Sequence, residues 1–77
     1  MLTEINGAIT QRGNTSEMLF GVRDALSYLS SITLLKAGDL VLTGTPIGWD
    51  QNILRPGDTV VHHIEKVGNL EFSIAVN

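Results

Sequence analysis

The sequence predicts an α+β domain, in which a mostly antiparallel β-sheet or β-roll carries one principal helix. The first observation is Asn6-Gly7 between two strand-like runs, a strong signal for a β-hairpin. The second is the stretch from Val22 to Ser31 or Ile32, where apolar residues recur at helical spacing. The third is the alternation of apolar and polar residues near the C-terminus. Strands at both ends with a helix between them indicate the α+β class.

The N-terminal hairpin is predicted to consist of Leu2 to Ile5 and Ala8 to Gln11. Asn and Gly both accept a positive φ, which the two-residue turn requires. A two-stranded hairpin is marginally stable alone, so we expect it to pair with a further strand. The next segment, Arg12 to Ser16, is predicted to be a loop and helix cap, in which Asn14 can accept from a free amide of the following turn.

The predicted helix has one apolar and one polar face. Asp24 lies in its first turn, where a carboxylate suits the positive end of the helix dipole. Leu26 and Leu29 lie on the apolar face and are expected to be core residues. The apolar face comprises Val22, Ala25, Leu26, Leu29 and Ile32.

Two turns of similar sequence each lead into a predicted strand. Gly38 and Gly57 suit the turn position that requires a positive φ. The first turn leads into the apolar run Leu40 to Leu42, which is predicted to be a short buried strand. The second leads into a strand from Thr59 to Lys66, and a last strand is predicted from Asn69 to Val76.

A constrained polar loop follows Leu42. Gly44 can adopt backbone angles that are closed to other residues, and Pro46 pushes Thr45 towards an extended conformation. The hydroxyls of Thr43 and Thr45 are therefore presented from a stiff loop at the end of a predicted strand, a common position for a binding site. From these residues alone, a binding loop and an ordinary strand end both remain open.

The histidines and carboxylates give no strong signal for catalysis. His62 and His63 are consecutive in a predicted strand and point to opposite faces, so they do not easily share a metal ion. His63 beside Glu65 has the composition of a general base. The alternative is that the two residues are a half-buried histidine pair on a small sheet. The sequence of this strand favours this alternative over a general base. No group of carboxylates has a spacing that demands a metal site.

Length and composition limit the class of protein. The 77 residues are expected to form one small domain, residues 1–77, with a marginal core. There are no cysteines, which excludes disulfides and thiolate metal sites. The net charge of −3 and the scattered Lys and Arg argue against nucleic acid as a partner. No transmembrane run and no signal peptide are evident, so we expect no membrane partner and a cytoplasmic protein.

Several short motifs follow one another in a particular order. They are Asn6-Gly7, Gln11-Arg12-Gly13-Asn14-Thr15-Ser16, the helix end Tyr28-Leu29-Ser30, Gly38-Asp39 with Thr43-Gly44-Thr45-Pro46, and Pro56-Gly57-Asp58. Each motif is weak alone, but their order and spacing resemble the C-terminal part of the catalytic domain of the fumarylacetoacetate hydrolase family. The resemblance covers nearly all of this chain and implies a partial β-roll of that family.

The resemblance also implies which part of the family domain carries the metal ligands and the catalytic residues. Family members hold Mg²⁺ or Mn²⁺ with three carboxylates and act on small oxo acids as hydrolases, decarboxylases or isomerases. Those carboxylates, the catalytic Lys and the His/Glu base precede the part that this chain resembles. The resemblance therefore implies no catalytic residue, no metal ligand and no cofactor here. Thr45 resembles the family threonine on the substrate side of the site, and Thr43 and Gly44 shape its loop.

Three functions remain open at this point. The chain is expected to be a stand-alone fragment of the family fold that has no catalysis of its own and self-associates. Alternatively, it is a subunit or remnant of a metal-dependent hydrolase, decarboxylase or isomerase. A third possibility is a module that binds a small organic acid with the loop Thr43–Trp49.

Self-association is expected because a partial sheet has unpaired edges. The expected edges, Leu2–Ile5 and Leu70–Val76, carry few charges and no Pro. Free backbone groups at such an edge recruit another chain. We therefore expect a symmetric homo-oligomer, most simply a dimer, whose interface includes the terminal strands or the loop Ile47–Trp49.

Overall fold

The computed structural model of the chain describes residues 1–48 and 52–76. Trp49, a member of the candidate loop, lies outside the described residues. Contacts divide the chain into two compact units. We call Met1–Gly13 with Thr45–Asn77 the sheet unit, and Asn14–Gly44 the helical unit. The expectation of one small domain stays a prediction.

The sheet unit contains a four-stranded antiparallel sheet. Asn6 has a φ of 51° and Gly7 a φ of 82°, which confirms the predicted hairpin turn. With the helix of the other unit, the sheet confirms the α+β class. The strands are β1 (Leu2–Ile5), β2 (Ala8–Arg12), β3 (Thr59–Ile64) and β4 (Gly68–Ser73), in the order β2-β1-β3-β4.

Three predictions about the strands are wrong. β3 ends at Ile64 instead of Lys66, because Lys66 has a φ of 65° and belongs to the turn that leads into β4. β4 ends at Ser73 instead of Val76. The expectation that β1 is an edge strand also fails, because β1 pairs with β2 on one side and with β3 on the other. The edge strands of the sheet are β2 and β4.

The strand register sorts side chains onto the two faces of the sheet. Thr3 lies opposite Gln11 on β2 and His62 on β3, so these three residues form one row across one face. Val60 and Phe72 lie opposite each other in the neighbouring row of the same face. Val60 is 2% exposed and is the one hydrophobic residue classed as buried in the described part of the chain. The core of the sheet unit is therefore very small.

The two turns of similar sequence have the predicted backbone. Gly38 has a φ of 92° and Gly57 a φ of 90°. The aspartate after each glycine, Asp39 or Asp58, accepts a hydrogen bond from the backbone N–H three residues earlier, at 2.7 and 2.8 Å. The shared sequence pattern is explained by turn geometry.

Asn6 ties the hairpin turn to the start of β3. Its Nδ2 donates to Asp58 Oδ1 at 2.8 Å, and its Oδ1 accepts from the backbone N–H of Thr59 at 2.9 Å. The hydrogen bond from Asn6 and that from the backbone N–H of Arg55 hold the pKa of Asp58 below its ordinary value of 3.8. These bonds favour the ionised carboxylate, so their stabilisation is fully present above the ordinary pKa and is lost as the pH falls through the lowered pKa.

We expect the substitution Asn6→Gly to lower the thermal midpoint of the chain at neutral pH. Glycine keeps the positive φ of the turn but removes both side-chain hydrogen bonds. The difference from the wild-type midpoint should shrink as the pH falls through the lowered pKa of Asp58, which circular dichroism at several pH values can follow. Asn52→Gly is the matched control, because Asn52 donates to the Gly48 carbonyl and has no carboxylate partner among residues 1–48 and 52–76. A pH-independent difference for Asn6→Gly would contradict the expectation.

The helical unit begins with a short 3-10 helix, Thr15–Glu17, and continues into α1 (Val22–Ile32). Asn14 caps the first, because its Oδ1 accepts from the backbone N–H of Ser16 at 2.9 Å. Asp24 accepts from the backbone N–H of Gly21 at 3.0 Å at the start of α1. The predicted helix, the cap at Asn14 and the position of Asp24 in the first turn are confirmed, and the bond from Gly21 to Asp24 is an additional finding.

The prediction that Leu26 and Leu29 are core residues is wrong in this chain. Leu26 is 43% exposed, Leu29 is half-buried, and α1 has no buried residue. Leu29 and Val41 both line two surface grooves of the helical unit. The segment after the Gly38 turn therefore packs along only part of the apolar face of α1. The periodicity located the apolar face correctly, but the described chain covers only part of it.

The prediction of a buried strand at Leu40 to Leu42 is also wrong. This run is not a strand, and Leu40 and Leu42 are 85% and 86% exposed. A strand exists only when its backbone N–H and C=O groups pair with a neighbour. The described residues offer this run no paired strand, so its apolar composition alone does not produce one.

Within the described residues, no helix has the length and apolar character needed to cross a membrane.

Candidate functional site

The candidate loop Thr43-Gly44-Thr45 is divided between the two units. Thr43 and Gly44 belong to the helical unit, and Thr45 belongs to the sheet unit. Gly44 has a φ of 93°, so the glycine is required by the backbone as the sequence predicts. The assignment of these three residues to substrate binding stays a prediction.

Gln11 at the end of β2 holds the Thr45–Pro46 segment. Its Nε2 donates to Thr45 Oγ1 at 3.0 Å and to the Pro46 carbonyl oxygen at 2.7 Å. Thr45 is exposed, whereas Gln11 and Pro46 are half-buried. The sheet therefore fixes the hydroxyl of Thr45 in a position that a small molecule can reach.

Two glycines allow the loop to lie against β2. A Cβ atom on Gly13 would be 2.9 Å from Pro46 Cγ, a separation so short that one of the two residues would have to shift. Gly48 has a φ of 107°, and a Cβ there would be 3.0 Å from the backbone oxygen of Thr10. Gln-x-Gly in the first motif and Thr-Pro-x-Gly in the later one therefore lie in direct contact.

A row of hydrogen bonds extends from Gln11 across the sheet. Thr3 Oγ1 donates to Gln11 Oε1 at 3.4 Å and lies 3.0 Å from His62 Nδ1. The His62 ring packs against Phe72 with a centroid distance of 5.7 Å. Thr45 is therefore connected through Gln11 and Thr3 to a half-buried histidine.

The possible general base at His63 with Glu65 is not assembled. Glu65 lies in the turn after β3, so it does not continue the strand face of His63. His63 Nδ1 instead hydrogen bonds to Oδ1 of its cross-strand neighbour Asn69. His63 is exposed and His62 is half-buried, which is the arrangement of a histidine pair on a small sheet.

Thr43 lines an apolar groove of the helical unit. The groove is open to solvent and has a volume of about 440 Å³. Its polar groups are few, so it can hold apolar atoms but offers little to orient a charged ligand. Its lining residues are Met18, Leu19, Phe20, Ala25, Tyr28, Leu29, Val41, Leu42 and Thr43.

The metal ion implied by the resemblance does not fit the described residues. They contain no cluster of three His, Asp or Glu side chains that could hold an ion. Asp24, Asp39 and Asp58 accept backbone hydrogen bonds in caps and turns. Magnesium requires several oxygen ligands around one point. No step of a reaction can therefore be assigned to a metal held by these residues.

The sequence did not identify Thr3, Gln11 and His62 as parts of one site. In the sequence, Gln11 stands out only as the first residue of a motif, and His62 only as one of a pair. The available signal was the hairpin register, which places Gln11 opposite Thr3. The pairing of β1 with β3 is long-range and could not be read from spacing.

Comparisons with known proteins agree on one family. Residues 1–75 match the family model described as fumarylacetoacetate (FAA) hydrolase C-terminal. An uncharacterised protein of Archaeoglobus fulgidus is 46% identical over 68 residues, which are 88% of this chain and 26% of that protein. Maleylpyruvate hydrolase of Aquipseudomonas alcaligenes is 34% identical over 74 residues, 96% of this chain and 25% of that enzyme.

A further relative has a different activity. The 4-hydroxyphenylacetate degradation bifunctional isomerase/decarboxylase of Escherichia coli is 41% identical over 68 residues, 88% of this chain and 15% of that enzyme. The chain therefore spans about a quarter or less of the length of these three relatives.

Proposed function

Because the chain belongs to the fumarylacetoacetate hydrolase family, we propose that it forms the substrate side of such a fold and binds a small oxo acid through Thr45. Its relatives include a maleylpyruvate hydrolase and an isomerase/decarboxylase, whose names indicate organic acid substrates. The proposal takes from them only the class of ligand. The observation that carries it is the exposed hydroxyl of Thr45, held by Gln11 at 3.0 Å.

The proposal includes no catalysis by this chain alone. The chain spans 25% of maleylpyruvate hydrolase, which leaves most of that enzyme without a counterpart here. Among the described residues, the acidic side chains with assigned partners serve turns and caps. Chemistry on the oxo acid would require groups that the described residues do not supply.

The proposal also includes self-association. Among the described residues, Val60 is the only buried hydrophobic residue. A core of this size gives a folded domain only marginal stability. Every residue of β4 is exposed, and β4 is an edge strand. A second copy that pairs with β4 would supply both burial and backbone hydrogen bonds. We propose a two-fold dimer.

Titration with oxaloacetate should shift the NMR signal of the Thr45 amide and leave the oxaloacetate unconverted. Thr45→Val should weaken this binding by roughly tenfold or more, since a hydrogen bond to a charged group contributes about 1.5–3 kcal/mol. Thr45→Ser should retain it, and Thr15→Val is the matched control in the helical unit.

Calorimetry with Mg²⁺ and Mn²⁺ should show no stoichiometric micromolar binding.

Two results would contradict the proposal. Turnover of oxaloacetate that Thr45→Ala abolishes would favour the alternative of an active metal-dependent enzyme. Oxaloacetate binding that Thr45→Val leaves unchanged would place the acid elsewhere on the chain.

A further inference from the structure

We infer that Gln11 is a positioning residue, which orients the hydroxyl of Thr45 so that it donates its hydrogen to an acceptor oxygen of the ligand. The identity of the ligand rests on the proposed function. The orientation of the hydroxyl rests only on contacts inside the sheet unit.

The Pro46 carbonyl determines which way the Gln11 amide faces. A carbonyl oxygen only accepts hydrogen bonds, so the Gln11 atom 2.7 Å from it must be the amide nitrogen. That nitrogen carries two hydrogens. One is directed to Pro46, and the other to Thr45 Oγ1 at 3.0 Å. Both donors of the amide are therefore used.

The donor character of Gln11 determines what Thr45 can offer. A threonine hydroxyl has one hydrogen and two lone pairs. Gln11 Nε2 occupies one lone pair and cannot accept the hydrogen, and no other described residue accepts it, so the hydrogen is available to a ligand. Thr45 is exposed, so a ligand can reach this hydrogen. A carboxylate or carbonyl oxygen accepts such a hydrogen, and this selects oxo acids over ligands that present only donors.

The same logic extends across the sheet to His62. With its nitrogen directed to Pro46, Gln11 turns its Oε1 towards Thr3, whose single hydroxyl hydrogen it accepts at 3.4 Å. With its hydrogen directed to Gln11, Thr3 has none for His62, and we therefore expect His62 Nδ1, 3.0 Å away, to be the donor. The neutral ring of His62 is thus expected to carry its hydrogen on Nδ1. If Gln11 only filled space, it would not determine the tautomer of His62.

NMR spectroscopy tests the orientation without any ligand. The two side-chain amide hydrogens of Gln11 should exchange slowly with solvent. Thr45→Val should shift one of them and leave the other, which is bonded to Pro46, nearly unchanged. At a pH where the ring is neutral, the ¹⁵N shifts of His62 should show the Nδ1–H tautomer. Gln11 signals like those of a free side chain would overturn the inference, and an Nε2–H tautomer of His62 would overturn its extension to Thr3 and His62.

Acid binding provides the second test. Gln11→Glu should weaken oxaloacetate binding by roughly tenfold or more, because the carboxylate accepts the hydrogen of Thr45. Gln11→Met, of similar shape and without hydrogen bonds, should weaken it less. Asn52→Asp is the control for the added negative charge. Unchanged binding in Gln11→Glu would overturn the inference, whereas slow Gln11 exchange in a wild-type chain that binds no acid would overturn only the proposed function.

Discussion

Val60→Asp should unfold the sheet unit. Val60 lies on β3, the strand that joins β1 to β4, and it is 2% exposed. A buried charge without a partner costs roughly 3–5 kcal/mol. A small core supplies about the same amount of stability, so little would remain. Loss of the β signal in circular dichroism, together with collapse of the amide dispersion in NMR spectra, is the expected result.

The control for Val60→Asp is the same substitution at Val67. This residue lies in the turn between β3 and β4 and is 79% exposed, so a carboxylate there stays hydrated. Val67→Asp should leave the thermal midpoint close to that of the wild type. A folded Val60→Asp variant would mean that Val60 is not central to the core.

Leu70→Lys should convert the proposed dimer into a monomer. Antiparallel pairing of two β4 strands centred on Leu70 places Leu70 opposite its copy and Glu71 opposite Asn69. A register centred on Glu71 would instead place two carboxylates opposite each other, which is unfavourable. Lys at position 70 brings two positive charges together at the two-fold axis. Light scattering after size-exclusion chromatography should show dimer for the wild type and monomer for the variant.

Ile9→Lys is the matched control at the other edge of the sheet. Ile9 lies on β2 and is half exposed, but this strand has a bulge at Thr10 and the segment Thr45–Gly48 against it. We therefore expect Ile9→Lys to remain a dimer. A wild-type chain that is monomeric at tens of micromolar, or a Leu70→Lys dimer, would contradict pairing through β4.

Local sequence signals predicted the elements whose cause is local. Asn6-Gly7 determines the hairpin turn, and Asn14 caps the 3-10 helix through a bond to a residue two positions away. The periodicity from Val22 to Ile32 gave the bounds of α1. The order of the motifs gave the family, which the match over residues 1–75 confirms.

Features that depend on distant partners were not predictable in the same way. Leu40 to Leu42 has the composition of a buried strand, but the described chain provides no strand to pair with it. Helical periodicity places Leu26 on the apolar face of α1, but its side chain is still 43% exposed. The hydrogen-bond row from His62 to Thr45 requires the pairing of β1 with β3, which joins residues far apart in the sequence.

The bulge at Thr10 and the segment against β2 affect the stoichiometry that this sheet permits. A sheet with two open edges can add copies at both, and such growth has no natural end. Where one edge is obstructed, two copies that join through β4 leave no equivalent edge for a third. The bulge at Thr10 and the close approach of Gly48 to the Thr10 backbone would thus limit growth to a closed pair and oppose the formation of fibres.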